Sequence, residues 1–222
     1  MPDHSDPIQR RPLQTRSRRW AQALAAALVA RRVSPNAISV VSIGFAGVAG
    51  VCLWQWSQWD GWLPIVLLVV AAVCIQLRLL CNMLDGMVAV EGGLRSPTGE
   101  LFNEVPDRIA DSLILVAAGY GIINLTGAVE LGWGSALLAM FTAYIRAIGA
   151  SFGLPGCFHG PMAKPHRMAL MTLACLASAA CFHFVQVDLI IWTALGLVAA
   201  GSALTCVRRL RAIVLHLRSR QS

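Results

Sequence analysis

Six apolar segments, each about long enough to cross a bilayer and separated by short connections, constrain this chain more than any single motif does. They run near 38–57, 63–83, 105–125, 133–153, 168–184 and 189–207. A span needs about 20 mostly apolar residues to cross the hydrocarbon core. No alternating strand pattern accompanies them, so helices rather than a barrel are expected. Composition agrees: 57% of the residues are hydrophobic and 13% charged, where a soluble domain carries roughly 25% charged. The predicted class is an all-α integral membrane protein of six transmembrane helices.

Around the spans the chain divides simply. Residues 1–13 read as a disordered tail, 14–33 as an interfacial amphipathic helix, 34–210 as the six-span domain and 211–222 as a basic tail. In the second segment Trp20, Leu24 and Leu28 recur every four residues, with Ala21, Ala25 and Val29 beside them and arginines at its flanks. That pattern suits a helix lying in the headgroup plane, or a helix packed on the domain's surface. Ser34-Pro35-Asn36 provides a helix cap followed by proline in the first turn. Gly44, Gly47 and Gly50, three apart, offer a small face for close helix packing.

Basic residues set the orientation. The loops near 58–62, 126–132 and 185–188 have no Lys or Arg. Arg10, Arg11, Arg16, Arg18 and Arg19 precede the first span, and Arg208, Arg209, Arg211, Arg218 and Arg220 follow the last. The positive-inside rule then places both termini in the cytoplasm of a multi-pass cell-membrane protein. The net charge of +7 fits that rule together with contact to anionic lipid. No stacking platform or recognition helix points to nucleic acid. The seven cysteines form no C-x-x-C pair and read as small packing residues. His159, His166, His183 and His216 lack metal-site spacing.

Acidic residues are concentrated instead. Of eleven, six fall between Asp85 and Asp111: Asp85, Glu91, Glu100, Glu104, Asp107 and Asp111. Carboxylates near membrane depth are costly unless paired, hydrated or bound to a cation. Asn82, Asp85, Gly86 and Ala89 share one helix face. Gly99, Asn103 and Asp107 share a face of the next helix, subject to a kink at Pro106. The oxygens of Asn82, Asp85, Asn103 and Asp107 are thus placed to converge on Mg²⁺ or Mn²⁺ if the two faces oppose each other. The competing reading is an ion-paired turn, with Arg78, Arg95 and Arg108 as partners. Arg78 shares the Asn82 face, in reach of Asp85.

These residues resemble the signature of the CDP-alcohol phosphatidyltransferases, D-x-x-D-G-x-x-A-R, eight residues, then G-x-x-x-D-x-x-x-D. The chain reads Asn82-Met-Leu-Asp85-Gly86-Met-Val-Ala89-Val90, eight residues, then Gly99-Glu-Leu-Phe-Asn103-Glu-Val-Pro-Asp107. Every gap is kept, while two aspartates are asparagine and the arginine is valine. The six-span plan and N-terminal helix also match, so the resemblance covers nearly the whole chain.

The resemblance implies transfer of a phosphatidyl or similar group from a CDP-alcohol such as CDP-diacylglycerol to an alcohol, releasing CMP, in phospholipid biosynthesis. It implies Mg²⁺ or Mn²⁺ at Asn82, Asp85, Asn103 and Asp107, with Asp107 as catalytic base. Gly86, Ala89 and Gly99 line the nucleotide side, and Glu100, Glu104 or Asp111 are candidates to offset the lost charge. It also implies Arg146, Lys164 and Arg167 on substrate phosphate, against ordinary membrane anchoring, and a homodimer. The alternative, motivated by Asn82, Asn103 and Val90, is a non-catalytic nucleotide-lipid-binding or structural membrane protein on the same fold. A transporter finds no inverted repeat in support.

Overall fold

The computed structural model describes residues 19–93, 99–154 and 160–220, and among them it is all helix and turn. Seven helices follow one another: α1 Arg19–Ala30, α2 Pro35–Gln55, α3 Leu63–Glu91, α4 Gly99–Tyr120, α5 Ala128–Ser151, α6 Lys164–Ala180 and α7 Val187–Ser219. The six apolar segments correspond one for one to α2 through α7. Ser34 caps α2 as its sequence predicts, accepting from the Ala37 amide at 3.2 Å, with Pro35 in the first turn. The expected tail at 1–13 lies outside the described residues, whereas the basic stretch from 211 continues α7 to Ser219.

Contacts between neighbouring helices close a ring in the order α2, α3, α6, α7, α5, α4 and back to α2. Packing inside this ring mixes small side chains with large ones: Ala46, Ala49, Ala71, Ala118 and Ala136 are 4% exposed or less, and Leu53, Leu68, Ile114 and Leu195 are fully buried. Other bulky ones point outward, with Trp54, Val73, Phe141, Leu173 and Leu197 exposed. An apolar exterior is what lipid permits, since Leu against Leu gains little over Leu against an acyl chain. Sparse hydrogen bonds add specificity between helices. Ser135 donates to the Leu195 carbonyl at 3.1 Å, and Gln76 Nε2 donates to Thr172 Oγ1 at 2.8 Å.

Among the described residues, four helical segments are long and apolar enough to cross a membrane: α2 with the short turn after it (Pro35–Gln58), α3, α5 and α7. α6 has only 17 residues. α4 carries Glu104, Asp107, Arg108 and Asp111 in its first half, which lowers its hydropathy. At 1.5 Å per residue, α3 and α7 extend about 44 and 50 Å, beyond the roughly 30 Å hydrocarbon core. The charged ends of these helices therefore have length left over outside the apolar layer.

One expectation needs correction, and the structure adds detail to two others. Of the glycines at 44, 47 and 50, only Gly50 meets a neighbour, with a Cβ there 3.4 Å from the Leu113 carbonyl. Close backbone approach occurs instead at Gly119, Gly121 and Gly132; a Cβ on Gly121 would lie 1.8 Å from the Leu53 carbonyl oxygen. Nor do α3 and α4 pack face to face. α2 stands against both, and α3 meets α4 only slightly, so the polar faces address each other across the ring. The stripe on α1 splits as well: Ala21 and Ala25 are fully buried beside Met83, Met87 and Val88 of α3, while Trp20 and Leu24 are exposed.

Candidate functional site

One end of the ring gathers the starts of α2, α4 and α6 with the ends of α3, α5 and α7. The sequence places its charges there. Asp107 and Asp111, one turn apart on α4, face inward with 4% and 2% exposure. Arg78 of α3 is fully buried and reaches both: its Nη2 lies 3.4 Å from Asp107 Oδ1, 2.6 Å from Asp111 Oδ1 and 3.1 Å from the Asp107 carbonyl. Arg78 therefore pairs across the ring, not with Asp85 on its own helix. The same four-residue spacing that put Arg78 and Asn82 on one face lets both meet α4, since Asn82 Nδ2 donates to Asp107 Oδ1.

α6 supplies two further cations. Lys164 Nζ donates to Asp107 Oδ2, and Arg167 Nη2 donates to Asp111 Oδ2 at 2.9 Å. Arg167 also reaches the Met162 carbonyl at 3.1 Å and Thr142 Oγ1 at 3.3 Å. The turn before α6 fixes this placement. Met162 N donates to Thr205 Oγ1 of α7 at 3.1 Å, and Gly160 sits at φ +130, where a Cβ would meet Thr205 at 2.5 Å. Glycine is needed there both for the backbone conformation and for space.

Asp85 stands apart from these pairs. It is 3% exposed; Oδ2 accepts from Ser39 Oγ of α2 at 2.7 Å. The Gly86 backbone amide also hydrogen-bonds toward the carboxylate, while Oδ1 itself is buried and lacks a well-formed hydrogen bond among the described residues. A buried carboxylate oxygen without a donor is costly. An oxygen-seeking cation would satisfy it, so the donor set at Asp85 and Asn82 suits a hard metal ion. The fit is thinner than the spacing suggests: no group of three His, Cys, Asp or Glu among the described residues is placed to hold a metal. The side chain of Asn103 lies outside the described residues.

Of the acids expected to offset the missing charge, Asp111 and Glu104 are already engaged, and the side chain of Glu100 lies outside the described residues. Both oxygens of Asp111 are taken by arginines. Glu104 receives Arg146 and Arg108, the latter at 3.1 Å, at a half-exposed rim. Burial pushes the Glu104 carboxyl up, but Arg146 and Arg108 outweigh it and hold the group below its ordinary value. Burial pushes the Lys164 ammonium down to about 8, against the pull of Asp107. With 21% of its side chain exposed, remaining hydration tempers that shift.

Gly86 is buried and Ala89 half-buried on α3, and Gly99 opens α4. Arg209 of α7, 5% exposed, donates to the Thr142 carbonyl and so joins the charged end. In the sequence it is one of several arginines following the last span; its position on the inward face of α7 distinguished it only if the helix was known to continue. Ser39, the hydroxyl on Asp85, likewise carried no signal beyond its four-residue distance from Pro35. Two apolar grooves of about 270 and 430 Å³ flank α6, lined by residues such as Leu77 and Leu176 on one side and Leu173 and Leu197 on the other. Neither includes the charged residues.

Comparison with known proteins follows this geometry. No family model matches the chain. A phosphatidylinositol phosphate synthase of Streptomyces avermitilis is 29% identical over 192 residues, covering 83% of this chain and 74% of that protein. Among solved structures, the Mycobacterium tuberculosis phosphatidylinositol phosphate synthase with CDP-DAG bound superposes with a TM-score of 0.71. It is 24% identical and the match covers 88% of this chain and 94% of that one. The same enzyme in complex with manganese and citrate gives a TM-score of 0.70 at 23% identity, covering 87% and 88%. These structural likenesses establish the fold.

Proposed function

We propose that the chain is a member of the CDP-alcohol phosphatidyltransferase family and that its charged end transfers a phosphatidyl group from CDP-diacylglycerol to an alcohol, with release of CMP. One observation supports this most: Asn82 of α3 donates to Asp107 of α4 across the ring, with the buried Asp85 three residues along α3, at the spacing the family signature requires. Solved relatives carry CDP-DAG in one case and manganese in another. A divalent cation, when bound, neutralises the diphosphate and stabilises the departing CMP.

The chain's own residues supply the rest. Asp85 holds the cation through its unsatisfied oxygen, with Ser39 fixing the carboxylate. Asn82 and Asn103 add neutral ligands or diphosphate contacts. Asp107 takes the proton of the acceptor hydroxyl as its oxygen attacks the phosphorus bearing the lipid; the bond from that phosphorus to CMP breaks. Asn82 and Arg78 orient the Asp107 carboxylate for this. Gly86, Ala89 and Gly99 leave room on the nucleotide side. Arg146, Lys164 and Arg167 bind substrate phosphate, Arg as a planar fork and Lys as a point charge.

The placement in the membrane completes the reading. α4 and α6 cross with the four apolar segments, giving six spans, both termini in the cytoplasm and the site at the cytoplasmic face of the cell membrane. α1 lies in the interface, with Trp20 and Leu24 toward lipid and the basic segments against anionic headgroups. Two copies pair through membrane helices, and nucleic acid is no partner.

A second reading has its own observation. Asp107 is already met by Lys164, Arg78 and Asn82, which fits a protein that binds nucleotide-lipid without turnover. CMP release separates the two. Purified protein in lipid, given CDP-diacylglycerol, Mn²⁺ and a panel of alcohols, is expected to release CMP. Chelation abolishes the release, and Asp107→Ala lowers it by about 100-fold or more, as for loss of a general base. Binding of CDP-diacylglycerol with no CMP from any alcohol would establish the second reading.

A further inference from the structure

The family pattern has four aspartates and implies two metal ions; this chain keeps Asp85 and Asp107 and replaces the other two by asparagine. The charges around the retained acids are already matched by the protein itself. Asp85, Asp107 and Asp111 are buried, and Arg78, Lys164 and Arg167 stand among them. Each oxygen of Asp107 and Asp111 faces a cationic nitrogen. Asp85 has no ion pair among the described residues and keeps a buried oxygen, Oδ1, without a well-formed hydrogen bond among them.

Charge and geometry then favour one ion over two. A CDP-alcohol carries one negative charge on each of its two phosphates. A single divalent cation offsets both and leaves the balanced carboxylate network undisturbed. A second would leave two positive charges uncompensated at a site cut off from much of the solvent, where unpaired charge is expensive. It would also have to displace Lys164 or Arg78 to reach an oxygen of Asp107. Lysine suits the place of an ion, being a compact, hydrated point charge with three donors. Its position is not incidental: Lys164 opens α6 directly after the turn that Met162 and Gly160 pin to Thr205.

We propose that this site takes a single divalent cation, at Asp85, and that the ammonium of Lys164 on Asp107 occupies the place of the second. The inference rests on the reading that the site handles a CDP-alcohol, but it concerns how many ions are held, which can be counted without turnover. One of the two positive charges is then covalently fixed and survives chelation.

The count is made on purified protein in nanodiscs containing CDP-diacylglycerol, by titrating Mn²⁺ and following the loss of the free-ion electron paramagnetic resonance signal. The wild type is expected to bind one Mn²⁺ per chain, and Asp85→Ala none. Lys164→Gln, which frees an oxygen of Asp107, is expected to gain a second, weaker ion. Two ions in the wild type, none, or one that persists in Asp85→Ala would overturn the proposal. A single ion in a monodisperse Lys164→Gln sample would overturn the assignment of Lys164. CMP release on the same wild-type sample separates the parent reading: one ion without CMP upholds the cation count and sinks the transferase, and CMP release with two ions does the reverse.

Discussion

At one end of the ring Asp188 opens α7 as a buried carboxylate met only by neutral donors, the Ile123 amide at 3.3 Å and Asn124 Nδ2 at 2.5 Å. At the other end Asp107 and Asp111 are met by Lys164, Arg78 and Arg167, and Asp85 has an oxygen without a well-formed hydrogen bond among the described residues. Asp188 ties the α4–α5 turn to α7, and the positive end of the helix dipole favours a carboxylate in that first turn. It is a brace whose hydrogen bonds are complete. At the charged end Asp107 and Asp111 are fully ion-paired but Asp85 is not, and Arg78 and Arg167 keep buried nitrogens without hydrogen-bond partners among the described residues. Burial of an acid is thus no mark of function in this fold; incomplete satisfaction distinguishes the two ends.

The largest effect expected on stability is at Asp111. Its removal in Asp111→Ala leaves Arg78 and Arg167 buried with a partner gone, and breaking such a pair from one side costs about 3–5 kcal/mol. Thermal unfolding in nanodiscs should show it as a clear fall in midpoint. A midpoint near the wild type's would mean that water reaches these arginines freely and that the charged end is not a sealed network.

At the opposite end, stability rests on close backbone approach. Gly121 faces the Leu53 carbonyl and Trp56, whose ring stacks edge-on to Phe182 at 6.5 Å. Gly121→Ala inserts a methyl that backbone cannot yield to, costing about 1–3 kcal/mol or more. CMP release per folded molecule should be unchanged, because the strain is confined to the braced end. A variant that is stable yet inactive would show that the two ends are coupled.

The contrast also explains what the sequence made legible. Apolar length identified all six ring helices, and the missing basic residues in alternate loops separated the two ends. Spacing put Asn82 on the face of α3 that meets Asp107 of α4, because helical periodicity fixes a face. It said nothing of which helix each face addresses. Arg78 was in reach of Asp85 by periodicity and pairs with α4 instead, because α2 holds α3 and α4 apart along most of their length. The glycine run at 44–50 looked like a packing seam, but Gly44 and Gly47 face open space. The true seams at Gly119 with Gly132 and at Gly121 with Leu53 form between residues distant in the chain or on different helices, which periodicity does not reveal. Arg209 and Ser39 joined the site only through tertiary contacts.

The most direct test of the central claim sets the two ends against each other in one assay. CMP release from CDP-diacylglycerol is measured for the wild type, Asp85→Asn and Asp188→Asn in the same lipid, each normalised to folded protein. If the charged end is the catalytic site and Asp188 a brace, Asp85→Asn loses CMP release by about 100-fold or more and Asp188→Asn keeps it. Release that survives in Asp85→Asn, or that fails equally in both variants, would contradict the account.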